Sequence, residues 1–243
     1  MLSTLTDKLT ALADPEKAAF LQGFFKTGKG QYAEGDIFLG IKVPEIRAAI
    51  KEYHGMTLPD IKGLLYSGLH EVRLAGFLLL VALFKKATTE NERREIYDFY
   101  IAHAKQANNW DLVDLSCKDI IGAYLAGKKD RRILYQLAGS SSLWEQRIAI
   151  VSTWAFIKRG DFDDTLRIAE KLLAHKHDLI HKATGWMLRE VGKKDKKVLA
   201  AFLQRHAAIM PRTALRYSLE HFLPEEKRQY MAMKMTHTKN EAQ

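Results

Sequence analysis

The stretch VRLAGFLLLVALFKKA, residues 72–87, decides the fold. Its apolar residues recur at i, i+3 and i+4, the period of a helix, and it closes on two lysines, which suit a helix C-terminus. Its apolar core, LAGFLLLVALF, is too short to span a bilayer, which takes about 20 residues. The same pattern returns in DLVDLSCKDIIGAYLAG (111–127), WEQRIAIVSTWAFIKRG (144–160) and LIHKATGWMLREVGKK (179–194). Shorter helical segments such as ERREIYDFYIAHAKQ, RRILYQLA and DDTLRIAEKLLAHK lie between them. Gly127, Gly160 and Gly192 stand at the expected ends of three long segments, where a left-handed residue stops a helix. Only DIFLGI (36–41) and IKVPEIR (41–47) interrupt the pattern, and Pro44 fits the first turn of a new helix. The chain therefore reads as all-α.

The long segments also resemble one another. Arg73-Leu-Ala-Gly, Arg147-Ile-Ala-Ile and Lys182-Ala-Thr-Gly each place a cation before small or apolar residues. Their separations are multiples of about 35–37 residues, the period of HEAT or armadillo helix pairs. This predicts a superhelical stack of antiparallel helix pairs with a concave basic groove, in one HEAT-like domain over 1–235. The terminal THTKNEAQ (236–243) reads as a frayed tail.

Composition narrows the function. At 47% hydrophobic and 28% charged residues, the chain has the balance of an ordinary soluble globular protein. MLSTLTDKLTALADP has no unbroken apolar core and does not read as a secretory signal. One cysteine, Cys117, excludes an internal disulfide and any CxxC site, and the expected compartment is the cytoplasm. A formal net charge of +9 favours a polyanionic partner. The basic residues recur within helical segments, as in Lys85-Lys86, Lys128-Lys129, Arg131-Arg132, Lys158-Arg159, Lys193-Lys194 and Lys196-Lys197. Placed so, they can make a stripe that follows a phosphate backbone.

The chemistry-bearing stretch is NNWDLVD (108–114). On a helix, Trp110 and Asp114 share one face, an indole beside a carboxylate. Taken singly, Trp110 fits a core residue and Asp114 a solvated carboxylate. Their value lies in combination with Arg147 and Trp186, which fall in successive repeats and would project into the same groove. An indole face attracts cations by about 0.5–2 kcal/mol. A carboxylate stabilises developing positive charge, and an arginine grips phosphate with two hydrogen bonds. The set suits a nucleotide whose sugar becomes oxocarbenium-like while its phosphate stays anchored, as when an N-glycosidic bond breaks.

NNWDLVD (108–114), WEQRIAIVST (144–153) and HKATGWMLREVG (181–192) together resemble the HEAT-like-repeat DNA glycosylases of the bacterial AlkD type, the DNA alkylation repair family. DIFLGIKVPEIR (36–47) is similar to that family's N-terminal signature. The resemblance runs from about residue 15 to 220. It implies excision of N3- and N7-alkylated purines from double-stranded DNA without a cofactor and without a base-swallowing pocket; a superhelical groove of this kind works as a monomer. By the same resemblance, Asp114 matches the catalytic aspartate. Trp110 and Trp186 match the tryptophans against the deoxyribose, and Arg147 matches the arginine that holds the backbone. Lys182 and Arg189, about one turn to either side of Trp186, are expected to contact phosphate.

Two departures stand out. Phe24 of FFK (24–26) occupies the place of a tyrosine in catalytic members. KTGKGQYAEGD (26–36) is longer than their link and reads as a mobile basic loop or short hairpin on the DNA side, with Lys26 and Lys29 as contacts. Non-catalytic relatives that prefer branched DNA are similar in carrying a basic hairpin, so a branched-DNA binding module is the alternative, and a helical-repeat scaffold for a protein a third. His177 and His181 have the i, i+4 spacing of a zinc pair, but no HExxH, cysteine pair or acidic cluster accompanies them, and no metal is expected. No P-loop, GxSxG or Rossmann glycine pattern occurs. No membrane partner is expected.

Overall fold

A computed structural model describes residues 2–233, so the 236–243 tail lies outside the described residues. Among them the protein is all-helical, with sixteen α-helices in two compact units that divide between Lys128 and Lys129.

The first unit holds α1 (Leu2–Ala11), α2 (Pro15–Phe24), α3 (Val43–Ala49), α4 (Leu58–Leu65), α5 (His70–Lys86), α6 (Glu90–Ala102), α7 (Trp110–Asp114) and α8 (Ala123–Leu125). Helix α5 is the stretch quoted first. It is buried along nearly its whole length, from His70 to Val81 and again at Phe84, which explains why its sequence is apolar all round rather than striped. It packs on α4, where Gly76 lets the helices close: a Cβ there would stand 3.0 Å from that of Leu64. Thr57 with Asp60 and Thr89 with Glu92 form capping boxes that start α4 and α6, each side chain satisfying a backbone N–H that the helix leaves open.

The second unit holds α9 (Arg132–Ala138), α10 (Leu143–Ser152), α11 (Trp154–Lys158), α12 (Asp163–Leu172), α13 (Asp178–Lys194), α14 (Lys196–His206), α15 (Arg212–Ser218) and α16 (Pro224–Ala232). Its centre is α13, which packs on α10, α12, α14 and α15. Asp195 separates α13 from α14, its carboxylate accepting from Lys197 N and Val198 N at 2.8 and 3.2 Å. One residue thus ends one helix and caps the next.

Three local expectations are corrected. The 111–127 stretch is not one long helix but α7, a π-helical turn over Lys118–Gly122, and α8. Ser116 sits at the break, its Oγ bonded to Leu112 O and 2.8 Å from the Tyr100 hydroxyl; such back-bonding competes with the helix ladder. The 144–160 stretch likewise divides at Thr153, whose Oγ1 donates to Ile150 O at 2.7 Å. Of the three expected terminal glycines, only Gly160 takes a left-handed φ, +78°. Gly127 follows the end of α8 without one, and Gly192 lies inside α13, where Leu199 Cδ2 would meet a Cβ at 2.4 Å. Gly192 serves close packing rather than termination.

Candidate active site

Helix α7 is five residues long, with Trp110 first and Asp114 last. Both side chains are half-buried, while Asp111, Leu112 and Val113 between them are buried. The sequence produces the short helix locally: Asn109 is extended, and its side-chain oxygen accepts from Trp110 N at 2.8 Å. The i, i+4 spacing then places the indole and the Asp114 carboxylate on one side of the helix. Asp114 also acts on the core: with burial first and Cys117 second, its charge contributes to raising the Tyr100 hydroxyl well above its ordinary value.

Trp110 is backed by an aromatic ladder. Its rings lie nearly parallel to Phe25 at 5.1 Å and 9°, and Phe25 stacks on Phe38 at 4.7 Å. Phe38 in turn stacks on the His70 imidazole at 4.2 Å. Phe24, 54% exposed, meets the indole edge-on at 6.3 Å, so the position read as lacking a hydroxyl borders the site. An apolar cavity of about 490 Å³ lies alongside, lined by Phe20, Phe25, Phe38 and Leu74, with His70 and Asp111 at its edge.

Beneath the ladder lies a buried polar cluster that the sequence reading missed. His70 is 1% exposed and stands between two carboxylates, its Nδ1 2.8 Å from Asp36 Oδ2 and its Nε2 2.8 Å from Asp111 Oδ2. An ionised carboxylate only accepts hydrogen bonds, so both ring nitrogens donate and the ring is an imidazolium. Burial pulls the His70 pKa down, but the charge and hydrogen bond of Asp111, joined by those of Asp36, outweigh it and lift it to about 9. For Asp36, burial raises the carboxyl, yet His70 and then Arg73 hold it below its ordinary value. Arg73 also grips Asp36 directly and donates to Ser67 O at 2.8 Å. Glu71 accepts the backbone N–H groups of Leu39, Gly40 and Ile41 at 2.8, 2.8 and 3.2 Å. The DIFLGI segment is thereby fastened to the start of α5. The available signal was HEVR (70–73), four residues with three charges or potential charges opening an otherwise apolar helix.

The loop 26–36 is built of successive turns rather than strands. It is cross-linked by Ala33 N to Lys26 O and Gly35 N to Thr27 O, both at 3.2 Å. Lys26, at φ +59°, and Lys29 are exposed on it.

In the second unit, Arg147 of α10 is 5% exposed and its Nη1 donates to Leu179 O. Trp186 of α13 is half-buried, next to Gly185, whose missing side chain lets α15 approach. The two cations expected to contact phosphate make ion pairs within the protein. Lys182 pairs with Asp178 at 2.7 Å, and Arg189 with Glu220 and Glu190. His175 and His177 form a turn before α13, where His175 Nδ1 accepts from His177 N at 3.0 Å and His177 Nδ1 accepts from Leu179 N at 3.2 Å, and His181, inside α13, bonds back to His175 O through Nε2. Among the described residues no three His, Cys, Asp or Glu side chains gather as a metal site, and no helix is long and apolar enough to cross a membrane.

The fold and the α7 site define an all-helical protein carrying an indole and a carboxylate on one short helix. The chain matches the DNA alkylation repair enzyme family over residues 5–222 and belongs to that family. It is similar in fold to a solved structure described as a "Predicted DNA alkylation repair enzyme from Enterococcus faecalis", with a TM-score of 0.70 and 19% identity over 87% of this chain and 97% of that one. No curated protein matches it.

Proposed function

We propose that this member of the family is a monofunctional DNA glycosylase that hydrolyses the N-glycosidic bond of N3- or N7-alkylated purines in duplex DNA. The observation that carries the reading is the pairing of Trp110 and Asp114 on α7, with the indole held from behind by Phe25. A flat ring fixed on one side offers the other to a deoxyribose. The reaction breaks the C1′–N bond, and its electron pair goes to the purine, which the alkyl group has already made cationic. The sugar left behind carries oxocarbenium character, and the Asp114 carboxylate stabilises it and orients the attacking water, whose proton passes to the carboxylate or to solvent. Arg147 and Trp186 are proposed to contact the DNA strand from the second unit, Arg147 through phosphate and Trp186 through sugar. Lys182 and Arg189 would exchange their carboxylate partners for phosphate, and Lys26 and Lys29 would add contacts from their loop. HEAT-like repeats, a monomeric state and a cytoplasmic setting belong to the same reading.

The test is release of free 7-methylguanine from methylated duplex DNA, wild type beside Asp114→Asn. The wild type is expected to release the base, and the variant to lose at least about 100-fold in rate while binding duplex nearly unchanged. Undiminished release by Asp114→Asn removes Asp114 from its role. No release by the wild type, with DNA binding that weakens steeply with salt, replaces the reading with a binding protein for branched or distorted DNA. The 26–36 loop then becomes the next target.

A further inference from the structure

A helix of five residues does not persist alone, because its few hydrogen bonds do not offset the cost of nucleation. Yet α7 carries Trp110 at one end and Asp114 at the other, so its placement is set by what grips it. The C-terminal grip is Ser116 to Tyr100. The N-terminal grip is a relay: Asp111 Oδ2 accepts from His70 Nε2, His70 Nδ1 donates to Asp36 Oδ2, and Asn109 Nδ2 reaches the same Asp36 oxygen at 3.4 Å. Asp36 is itself held by Arg73.

Resting on the glycosylase reading, we infer that His70 is a positioning residue for base excision: by donating to Asp36 and Asp111 at once, it sets the first turn of α7 and so the placement of Trp110 and Asp114. The groups facing the ring are Asp36 from the 36–41 segment, Asp111 from α7, and the Phe25 and Phe38 rings. On its own helix, Glu71 is turned to backbone N–H groups and Arg73 to Asp36. A neutral imidazole has one N–H and one lone pair. When His70 loses its proton, one carboxylate faces that lone pair, and the relay breaks at Asp36 or Asp111. Both breaks loosen α7 without removing any group that touches DNA.

Two measurements test this. Nitrogen-15 NMR of the histidines, with His70 assigned by its loss in His70→Gln, should show both His70 ring nitrogens protonated at pH 8. Single-turnover excision of 7-methylguanine should then be followed from pH 6.5 to 10. The wild-type rate is expected to fall along an alkaline limb centred near pH 9. His70→Gln should lower the plateau by about tenfold or more, leave duplex affinity within about threefold, and flatten the limb. In the double variant His70→Gln/Asp111→Asn, the glutamine amide can donate to Asp36 and accept from the new amide at 111. It should regain most of the rate and stay flat with pH. A His70 ring that is neutral at pH 8 overturns the inference. So does a His70→Gln protein with the wild-type rate and alkaline limb, or a double variant no faster than the single one. All three leave the glycosylase reading standing, whereas a wild type that releases no base removes the reading and the inference together.

Discussion

Gly185 and Gly192 lie two turns apart on α13, and the same change to alanine should have different outcomes at the two sites. In a helix interior, alanine is favoured over glycine by about 1 kcal/mol, so both substitutions start with an equal gain. At 185 the new Cβ would stand 2.5 Å from Ala214 O and 2.5 Å from Tyr217 Cβ, about 1 Å inside ordinary contact. Neither atom can rotate aside, because one belongs to the α15 backbone and the other is bonded directly to it. The helices must part, and overpacking of this kind costs about 1–3 kcal/mol. At 192 the obstacle is Leu199 Cδ2 at 2.4 Å, the far end of a side chain that can change rotamer, at a cost of about 0.5–1.5 kcal/mol. With two fixed obstacles at 2.5 Å the cost at 185 falls in the upper half of the overpacking range, about 2–3 kcal/mol, so Gly185→Ala should lose about 1–2 kcal/mol net, and Gly192→Ala should stay within about 0.5 kcal/mol of the wild type. Urea unfolding at matched protein concentration reads both. Equal stability of the two variants would refute the reasoning, since it would mean that α13 and α15 do not approach as closely as Gly185 requires. Because Trp186 adjoins the strained position, Gly185→Ala should also weaken DNA binding, and Gly192→Ala should not.

The buried relay carries a pH signature in stability as well as in rate. The His70 pKa rises from 6.5 to about 9 on folding, so its contribution is complete below pH 6.5 and lost as pH climbs through about 9. At about 1.4 kcal/mol per unit, wild type should lose about 3 kcal/mol of unfolding free energy between pH 6 and 9.5 beyond any loss in His70→Gln; parallel curves for the two proteins would contradict the doubly bonded imidazolium. Glu71→Gln replaces a carboxylate that accepts three backbone N–H groups with an amide whose NH2 cannot accept. It should cost roughly 2–3 kcal/mol and speed amide exchange at residues 39–41, and unchanged exchange there would show that the segment is held by other means.

Much of this molecule is legible along the chain because hydrophobic period is a local property. VRLAGFLLLVALFKKA announces a buried helix, and α5 is one. LIHKATGWMLREVGKK predicts 179–194, and α13 spans Asp178–Lys194. Where the period misled, the cause lay in side chains that compete with the helix. Ser116 and Thr153 bond to carbonyls a turn back and divide two stretches that read as continuous. The ion pairs of Lys182 with Asp178 and of Arg189 with Glu220 and Glu190 were not legible either, because a sequence displays charges but not their partners.

By itself, then, the sequence determined the all-helical class, the positions of most helices and the spacing that puts Trp110 and Asp114 on one side of α7. These depend on residues within a turn or two of one another. Only the tertiary structure decided that Trp110 leans on Phe25, that Gly185 is a point of close helix approach, and that His70 bridges Asp36 and Asp111. Those two carboxylates lie 34 residues before and 41 residues after the histidine. Nothing local marks them as partners, because a buried charge finds its counter-charge only once distant segments have folded onto the same core.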